Sequence, residues 1–173
     1  DHYWQSRNPI AWTLVPLSWL YCLAVALRRT AYRGGMLISH RLPVPTIVVG
    51  NISVGGTGKT PLVVWVGRHL RDLGYQPGIV TRGYGGAAVQ WPQRVGRDSD
   101  PALVGDEAVL LARNSGCPVM AGPDRVASGL LLVEGQGCDI VVADDGLQHY
   151  ALRRDLEIAV VDGERRYGNE FCL

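Results

Sequence analysis

A glycine-rich run contains the only lysine of the chain. The run reads Gly50-Asn-Ile-Ser-Val-Gly-Gly-Thr-Gly-Lys-Thr60, and the other 16 of the 17 basic residues are arginines. Glycines let backbone N–H groups point inward at a phosphate, a lysine contacts β- and γ-phosphate oxygens, and a threonine hydroxyl can bind Mg²⁺. A forked guanidinium cannot replace the compact ammonium of Lys59 without changing that geometry. The run therefore predicts a nucleotide-phosphate-binding loop; the alternative is a chance glycine-rich turn.

The predicted phosphate-contacting residues are Ser53, Val54, Gly55, Gly56, Thr57, Gly58, Lys59 and Thr60. The strict pattern has a glycine where this chain has Ser53. A strand-like run precedes the loop and a helix-like run follows it, and this context favours a phosphate-binding loop over a chance turn.

Two adjacent aspartates, Asp144 and Asp145, follow the apolar run 140–143. A carboxylate at the end of a buried strand can hold Mg²⁺ next to a phosphate-binding loop. We therefore expect Thr60 with Asp144 or Asp145 to form a magnesium site. The alternative is that the two aspartates only cap the following turn, as Asp-Asp-Gly often does.

Three further runs place polar groups at predicted strand ends or helix starts. They are Thr81-Arg-Gly-Tyr-Gly-Gly86, Gly105-Asp-Glu107 and Gly146-Leu-Gln-His149. An ordinary α/β protein caps its helices with such residues, and Asp106 in particular is a candidate N-cap of its own helix. Their joint presence beside a phosphate-binding loop instead favours a single polar cleft.

Short apolar runs alternate with longer amphipathic ones from residue 42 onward, which is typical of βα units. We predict strands at 46–49, 78–81, 118–121, 140–143 and 157–161, helices at 61–73, 106–114 and 124–134, and a loop at 83–97. Crossover helices imply a mostly parallel sheet that binds ligands outside the carboxyl ends of its strands. The predicted class is α/β, with a P-loop NTPase-type sheet flanked by helices.

The first 41 residues differ from the rest in charge and hydropathy. They carry five arginines against one aspartate, and residues 8–27 contain no charge. Because Pro16 interrupts helical hydrogen bonding, we expect a helix from Leu17 to about Tyr32, whose apolar part reaches about one leaflet of a bilayer. This favours a membrane-associating helix; a full span and a core helix are the alternatives.

Composition and net charge exclude some classes of protein. The chain has 173 residues, of which 47% are hydrophobic and 19% charged, and its net charge is +1. These values exclude intrinsic disorder and give no case for a nucleic-acid partner. We divide the chain into a membrane-associating segment, 1–41, and a P-loop nucleotide-binding domain, 42–173.

The sequence resembles the tetraacyldisaccharide 4'-kinases, which phosphorylate the lipid A precursor in Gram-negative bacteria. The resemblance rests on Val49-Gly-Asn-Ile-Ser-Val-Gly-Gly-Thr-Gly-Lys-Thr-Pro61, Thr81-Arg-Gly-Tyr-Gly-Gly86, Gly105-Asp-Glu107, Asp144-Asp-Gly-Leu-Gln-His149 and Asp162-Gly-Glu-Arg-Arg-Tyr-Gly-Asn169. Serine at the first loop glycine is a habit of that family. The family is about twice this length, so the resemblance implies that a second half supplies part of the cleft.

The resemblance implies an ATP- and Mg²⁺-dependent kinase on the cytoplasmic face of the inner membrane, with no nucleic-acid or known protein partner. The implied reaction is transfer of the γ-phosphate to the 4'-hydroxyl of an acylated disaccharide 1-phosphate in lipid A biosynthesis. The implied catalytic residues are Lys59, Asp106, Asp144 and Asp145. Asp106 would accept or orient the hydroxyl proton. The implied substrate residues are Arg82, Tyr84, Gln148, His149, Glu164 and Arg166.

Two other classes of protein share part of this pattern. A P-loop GTPase or metallochaperone also has such a loop and a strand-end aspartate, but the guanine-reading Asn-Lys-x-Asp motif needs a second lysine, and Lys59 is the only one. A non-catalytic membrane nucleotide-binding module is the other alternative. The three acidic residues Asp106, Asp144 and Asp145 favour a kinase over it.

Overall fold

The computed structural model describes residues 9–51 and 58–161. Within these ranges the strands are β1 (Thr46–Asn51), β2 (Pro77–Thr81), β3 (Gln93–Val95), β4 (Val119–Ala121), β5 (Ile140–Asp144) and β6 (Leu156–Val160). The helices are α1 (Pro9–Arg33), α2 (Lys59–Asp72), α3 (Pro101–Val104), α4 (Asp106–Ser115) and α5 (Arg125–Gln136). The predicted βα alternation from residue 42 onward is confirmed.

The strands of the described residues form one sheet in the order β3-β4-β2-β5-β1-β6. The pairings are parallel except for β3 with β4, which confirms the predicted mostly parallel sheet. Strand β1 lies between β5 and β6, and Val49 stands opposite Asp144. The carboxyl end of β1 therefore lies beside Asp144 at the end of β5.

Both faces of the central strands are buried, because successive side chains point to opposite sides of a strand. Val49, Ile79 and Val142 pack with the apolar sides of α2 and α4. Val48, Val80 and Val141, each one residue away, pack with α5 on the other face. This two-sided burial explains why the strands read as continuous apolar runs.

The predicted loop over 83–97 is wrong at one point, because residues Gln93–Val95 form the antiparallel edge strand β3. Only Val95 of its three residues is buried. A strand with a single buried side chain produces no alternating pattern, so periodicity could not indicate it.

Helix α1 begins earlier than predicted, because Pro16 lies inside it. Proline removes one helical hydrogen bond but does not always end a helix. Side chains at Trp19, Leu20, Leu23 and Leu27 are each more than half exposed, so α1 does not pack as a core helix there. Among the described residues, no helix is both long enough and apolar enough to cross a bilayer.

Candidate functional site

Lys59 is the first residue of α2, directly after Gly58. Gly58 has φ 77°, a left-handed conformation that favours glycine. The Lys59 side chain is only 17% exposed, and its Nζ lies 2.9 Å from Oδ1 of Asp145. The loop glycine thus directs a nearly buried ammonium towards the end of β5.

Asp144 is the last residue of β5 and is fully buried. Neither carboxylate oxygen has a hydrogen-bond partner among the described residues. Burial raises the pKa of Asp144 to about 6; the charge of Lys59 opposes the rise, whereas those of Glu107 and Asp145 add to it. A buried carboxylate without partners is unfavourable by itself and suits a bound cation. It does not cap the turn, contrary to the alternative drawn from the sequence.

Asp145 turns the chain sharply after β5. Its φ of 54° is the only positive value among the described residues other than glycine. Behind it, Gly146 donates from its N–H to the carbonyl of Val49 at 3.3 Å. A Cβ on Gly50 would lie 2.7 Å from the Leu147 side chain. This turn therefore packs directly over the end of β1.

The polar runs 81–86 and 105–107 approach each other closely at glycines. Gly105 has φ 91°, and a Cβ there would collide with the carbonyl oxygen of Tyr84. A Cβ on Gly86 would collide with the carbonyl of Leu103. Only glycines permit this backbone approach, which brings the segment after β2 to the start of α4.

Asp106 is exposed and is the first residue of α4. The N-cap of that helix is Gly105, with no side-chain cap hydrogen bond, so Asp106 is not the N-cap. The next residue, Glu107, lies close enough to Asp144 to raise its pKa. The start of α4 therefore lies at the same edge of the sheet as the aspartate pair.

A buried cation, Arg125, completes this edge, and the sequence reasoning missed it. Arg125 is 4% exposed, and its Nε has no partner among the described residues. Burial lowers its pKa, and the charge of Arg82 lowers it further, whereas Asp145 and Asp144 oppose the shift. The available signal was its position four residues after β4, in the run Gly122-Pro-Asp-Arg125.

His149 lies within electrostatic reach of Arg125. Burial lowers the pKa of His149, and the charge of Arg125 adds to this effect. The lowered pKa favours the neutral imidazole, and its buried Nε2 has no hydrogen-bond partner in the described part of the chain. Depending on its tautomer, a neutral histidine donates or accepts a hydrogen bond at that nitrogen.

Comparison with known proteins assigns this arrangement to a family. The family model for the tetraacyldisaccharide-1-P 4'-kinase LpxK matches residues 10–173. The chain belongs to this kinase family.

Two relatives match almost the whole chain in sequence. The tetraacyldisaccharide 4'-kinase of Nitrosococcus oceani is 57% identical over 99% of this chain and 51% of its own length. That of Alkalilimnicola ehrlichii is 58% identical over 99% of this chain and 52% of its own. The chain thus spans about half the length of the curated relatives it matches.

A solved structure supports the same fold. The crystal structure of the "apo" form of LpxK from Aquifex aeolicus in complex with ATP superposes with a TM-score of 0.77 at 37% identity. The match covers 85% of this chain and 47% of that chain. The family resemblance seen in the sequence motifs is confirmed.

The fold brings most of the predicted residues of this kinase family to one edge. Lys59, Asp144 and Asp145 lie together, with Glu107 and Arg82 within electrostatic reach of Asp144 and Arg125 respectively. Tyr84 and Gln148 are exposed, and Thr60 follows Lys59 in α2. Their roles stay predictions. Several predicted residues lie outside the described ranges: Ser53, Val54, Gly55, Gly56, Thr57, Glu164 and Arg166.

Proposed function

We propose that the protein transfers the γ-phosphate of ATP to the 4'-hydroxyl of a tetraacyldisaccharide 1-phosphate, a step of lipid A biosynthesis. One observation carries the proposal: buried, partnerless Asp144 lies beside the Lys59–Asp145 ion pair at the carboxyl edge of the sheet. Family membership and the complex of the Aquifex aeolicus protein with ATP support the nucleotide.

Mg²⁺ fits the donors present. The partnerless oxygens of Asp144 offer hard, anionic ligands, with Asp145 and the Thr60 hydroxyl as further candidates. No cluster of three or more His, Cys, Asp or Glu suited to a metal occurs in the described part of the chain. That agrees with Mg²⁺, which is held by one or two carboxylates together with phosphate oxygens. When bound, the ion would neutralise phosphate charge.

Lys59 would exchange partners when nucleotide binds. Its ammonium now pairs with Asp145, and a triphosphate is a stronger counter-charge than one half-exposed carboxylate. Release of Asp145 frees that carboxylate for the ion. Lys59 would then contact β- and γ-phosphate oxygens, and the backbone amides of the loop 53–60 would bind the same phosphates.

Asp106, the exposed first residue of α4, would accept or orient the proton of the 4'-hydroxyl. Arg82, Tyr84, Gln148 and His149 would contact the acceptor, with Glu164 and Arg166 as further candidates. The buried cation of Arg125 would balance transferring phosphate charge, since Nε is free to donate and its field already reaches Asp144. Positioning and charge neutralisation are what phosphoryl transfer requires.

Helix α1 would seat the protein on the cytoplasmic face of the inner membrane. Its exposed Trp19, Leu20, Leu23 and Leu27 offer apolar contact, and Arg28, Arg29 and Arg33 lie in its last two turns to meet anionic head groups. The acceptor's acyl chains resist leaving a bilayer at about 0.8 kcal/mol per CH₂. A kinase at the surface avoids that cost.

The test uses the full-length gene product with ATP, Mg²⁺ and tetraacyldisaccharide 1-phosphate in mixed micelles. We expect a product heavier by one phosphate, with the new ³¹P resonance coupled to the 4' proton. An acceptor that lacks the 4'-hydroxyl is the matched control and should gain nothing. Phosphorylation elsewhere on the sugar, or nucleotide hydrolysis that does not depend on the acceptor, would refute the proposal.

A further inference from the structure

The side chain of Arg154 holds the turn that follows the aspartate pair. Its Nη1 donates to the carbonyl of Gly146 at 2.9 Å, and its Nε pairs with Glu157 at 2.7 Å. The side chain is only 11% exposed. Gly146 also accepts from the N–H of His149 at 3.0 Å. Arg154 thus fixes the carbonyl around which residues 145–149, here termed the acceptor turn, fold.

The ring of Tyr150 connects Arg154 to helix α1. The Arg154 guanidinium lies 5.2 Å from the ring centroid, and that of Arg28 lies 5.9 Å from it. Tyr32, one turn after Arg28, packs on the same ring with centroids 5.7 Å apart. Guanidinium groups at these distances are attracted to the face of an aromatic ring. Two arginines from different elements therefore share one tyrosine.

This contact gives α1 a mechanical connection to the candidate site. The acceptor turn begins at Asp145 and ends at His149, and the charges of Arg28 and Arg154 both contribute to the lowered pKa of His149 after burial and Arg125. Residues 23 to 30 of α1 are exposed.

We infer that Arg28, Tyr150 and Arg154 form a positioning link through which α1 holds the acceptor turn in place. The inference deepens the proposed function, because it rests on residues 148 and 149 contacting the acceptor. None of the three is a catalytic residue; each acts through the position of the turn. Seating α1 on a lipid surface would tighten the turn through this link.

Helix α1 offers a matched pair of variants for the test. Arg28→Gln and Arg29→Gln remove the same charge at adjacent exposed positions, but of these two arginines only Arg28 lies over the Tyr150 ring in the described part of the chain. A second pair is Tyr150→Leu, which removes the ring, and Tyr150→Phe, which keeps it.

Hydrogen exchange of a peptide covering residues 145–152 is the measurement, made on the chain itself. It contains the amides of Gly146, His149 and Leu152, which donate within and near the turn. We expect exchange about tenfold faster in Arg28→Gln and Tyr150→Leu, and parental rates in Arg29→Gln and Tyr150→Phe. Peptides from β2 and β5 report whether each variant is folded.

The second part of the test repeats the exchange measurement on vesicles of 70% phosphatidylethanolamine and 30% phosphatidylglycerol. Exchange in the turn should slow at least threefold on vesicles in the parent and in Arg29→Gln, but not in equally bound Arg28→Gln. In the full-length gene product, Arg28→Gln should raise the KM for the lipid acceptor about tenfold and leave the KM for Mg-ATP unchanged.

Equal exchange rates of the 145–152 peptide in Arg28→Gln and Arg29→Gln would overturn the link. Exchange in Tyr150→Phe that is as fast as in Tyr150→Leu would overturn it too. These results need no kinase activity. Absence of phosphate transfer by the parent would instead refute the proposed function, and failure of the parent to bind vesicles would refute the membrane proposal.

Discussion

Replacing Asp144 by asparagine should stabilise the protein in the absence of ligand while removing the proposed Mg²⁺ ligand. The side chain is fully buried without a hydrogen-bond partner among the described residues, and its pKa is raised from 3.8 to about 6, mainly by burial. That difference corresponds to about 3 kcal/mol of unfolding free energy lost when the carboxylate is ionised. Asparagine keeps the shape without the charge.

The sign of the pH dependence follows from the raised pKa. The folded state binds the proton more tightly than the unfolded state, so the parent loses stability as pH rises from about 4 to about 6. The asparagine variant escapes this loss. Its advantage should be fully present above pH 7, at roughly 2–3 kcal/mol, and should vanish towards pH 4.

Urea unfolding of the parent and of Asp144→Asn at pH 5 and pH 8, both in EDTA, measures this difference. Asp145→Asn is the matched control: it removes a carboxylate that is 56% exposed and paired with Lys59, so it should change stability by less than about 1 kcal/mol. Addition of Mg-ATP should stabilise the parent but not Asp144→Asn, since a ligand stabilises only the state that binds it. A variant less stable than the parent at pH 8, or a difference independent of pH, would refute the reasoning.

Three further outcomes are expected. Replacing Leu20, Leu23 and Leu27 by serine should move the protein from vesicles to the soluble fraction because it removes exposed apolar area; retention on vesicles in a flotation assay would place the anchor elsewhere. Arg125→Gln should lower phosphate transfer by the full-length gene product at least tenfold with the fold unchanged by circular dichroism, and activity near the parent's would exclude the proposed charge-balancing role. Residues 1–173 alone should bind Mg-ATP weakly by calorimetry and transfer no phosphate to the lipid, since positioning contributes about 7–11 kcal/mol to a catalysed step; transfer at the rate of the full-length product would show the cleft to be complete in this chain.

The central elements of the fold could be predicted because their signals are local. Strands β1 and β5 are buried on both faces and read as apolar runs, and α2 and α5 are followed by Gly74 and Gly137, both with positive φ. The carboxyl ends of parallel strands meet at one edge of a sheet, so the sequence alone predicts that the aspartates lie next to Lys59.

Features that depend on tertiary contact could not be predicted in this way. The edge strand β3 has one buried residue, and the continuation of α1 through Pro16 leaves no mark in the local pattern. Arg125 looked like an ordinary residue at a helix start; its burial arises only when α5 packs on the sheet.

The close approach of Gly105 to the Tyr84 carbonyl also could not be predicted from the sequence. Both glycine-containing runs were visible in the sequence, and capping explained each of them separately. Their shared cause is a close approach of two backbones, which no single run can reveal.

Transfer of ³²P from γ-labelled ATP to tetraacyldisaccharide 1-phosphate, compared between the full-length parent and Lys59→Ala, tests the central claim most directly. Lys59 is the only lysine from residue 1 to residue 173, and its Nζ already lies beside the aspartate pair. Loss of a single charge-stabilising group of this kind lowers the rate by about 10³-fold, so we predict a loss of that size with the fold unchanged by circular dichroism. A variant that transfers phosphate within about threefold of the parent would contradict the assignment of the phosphate site.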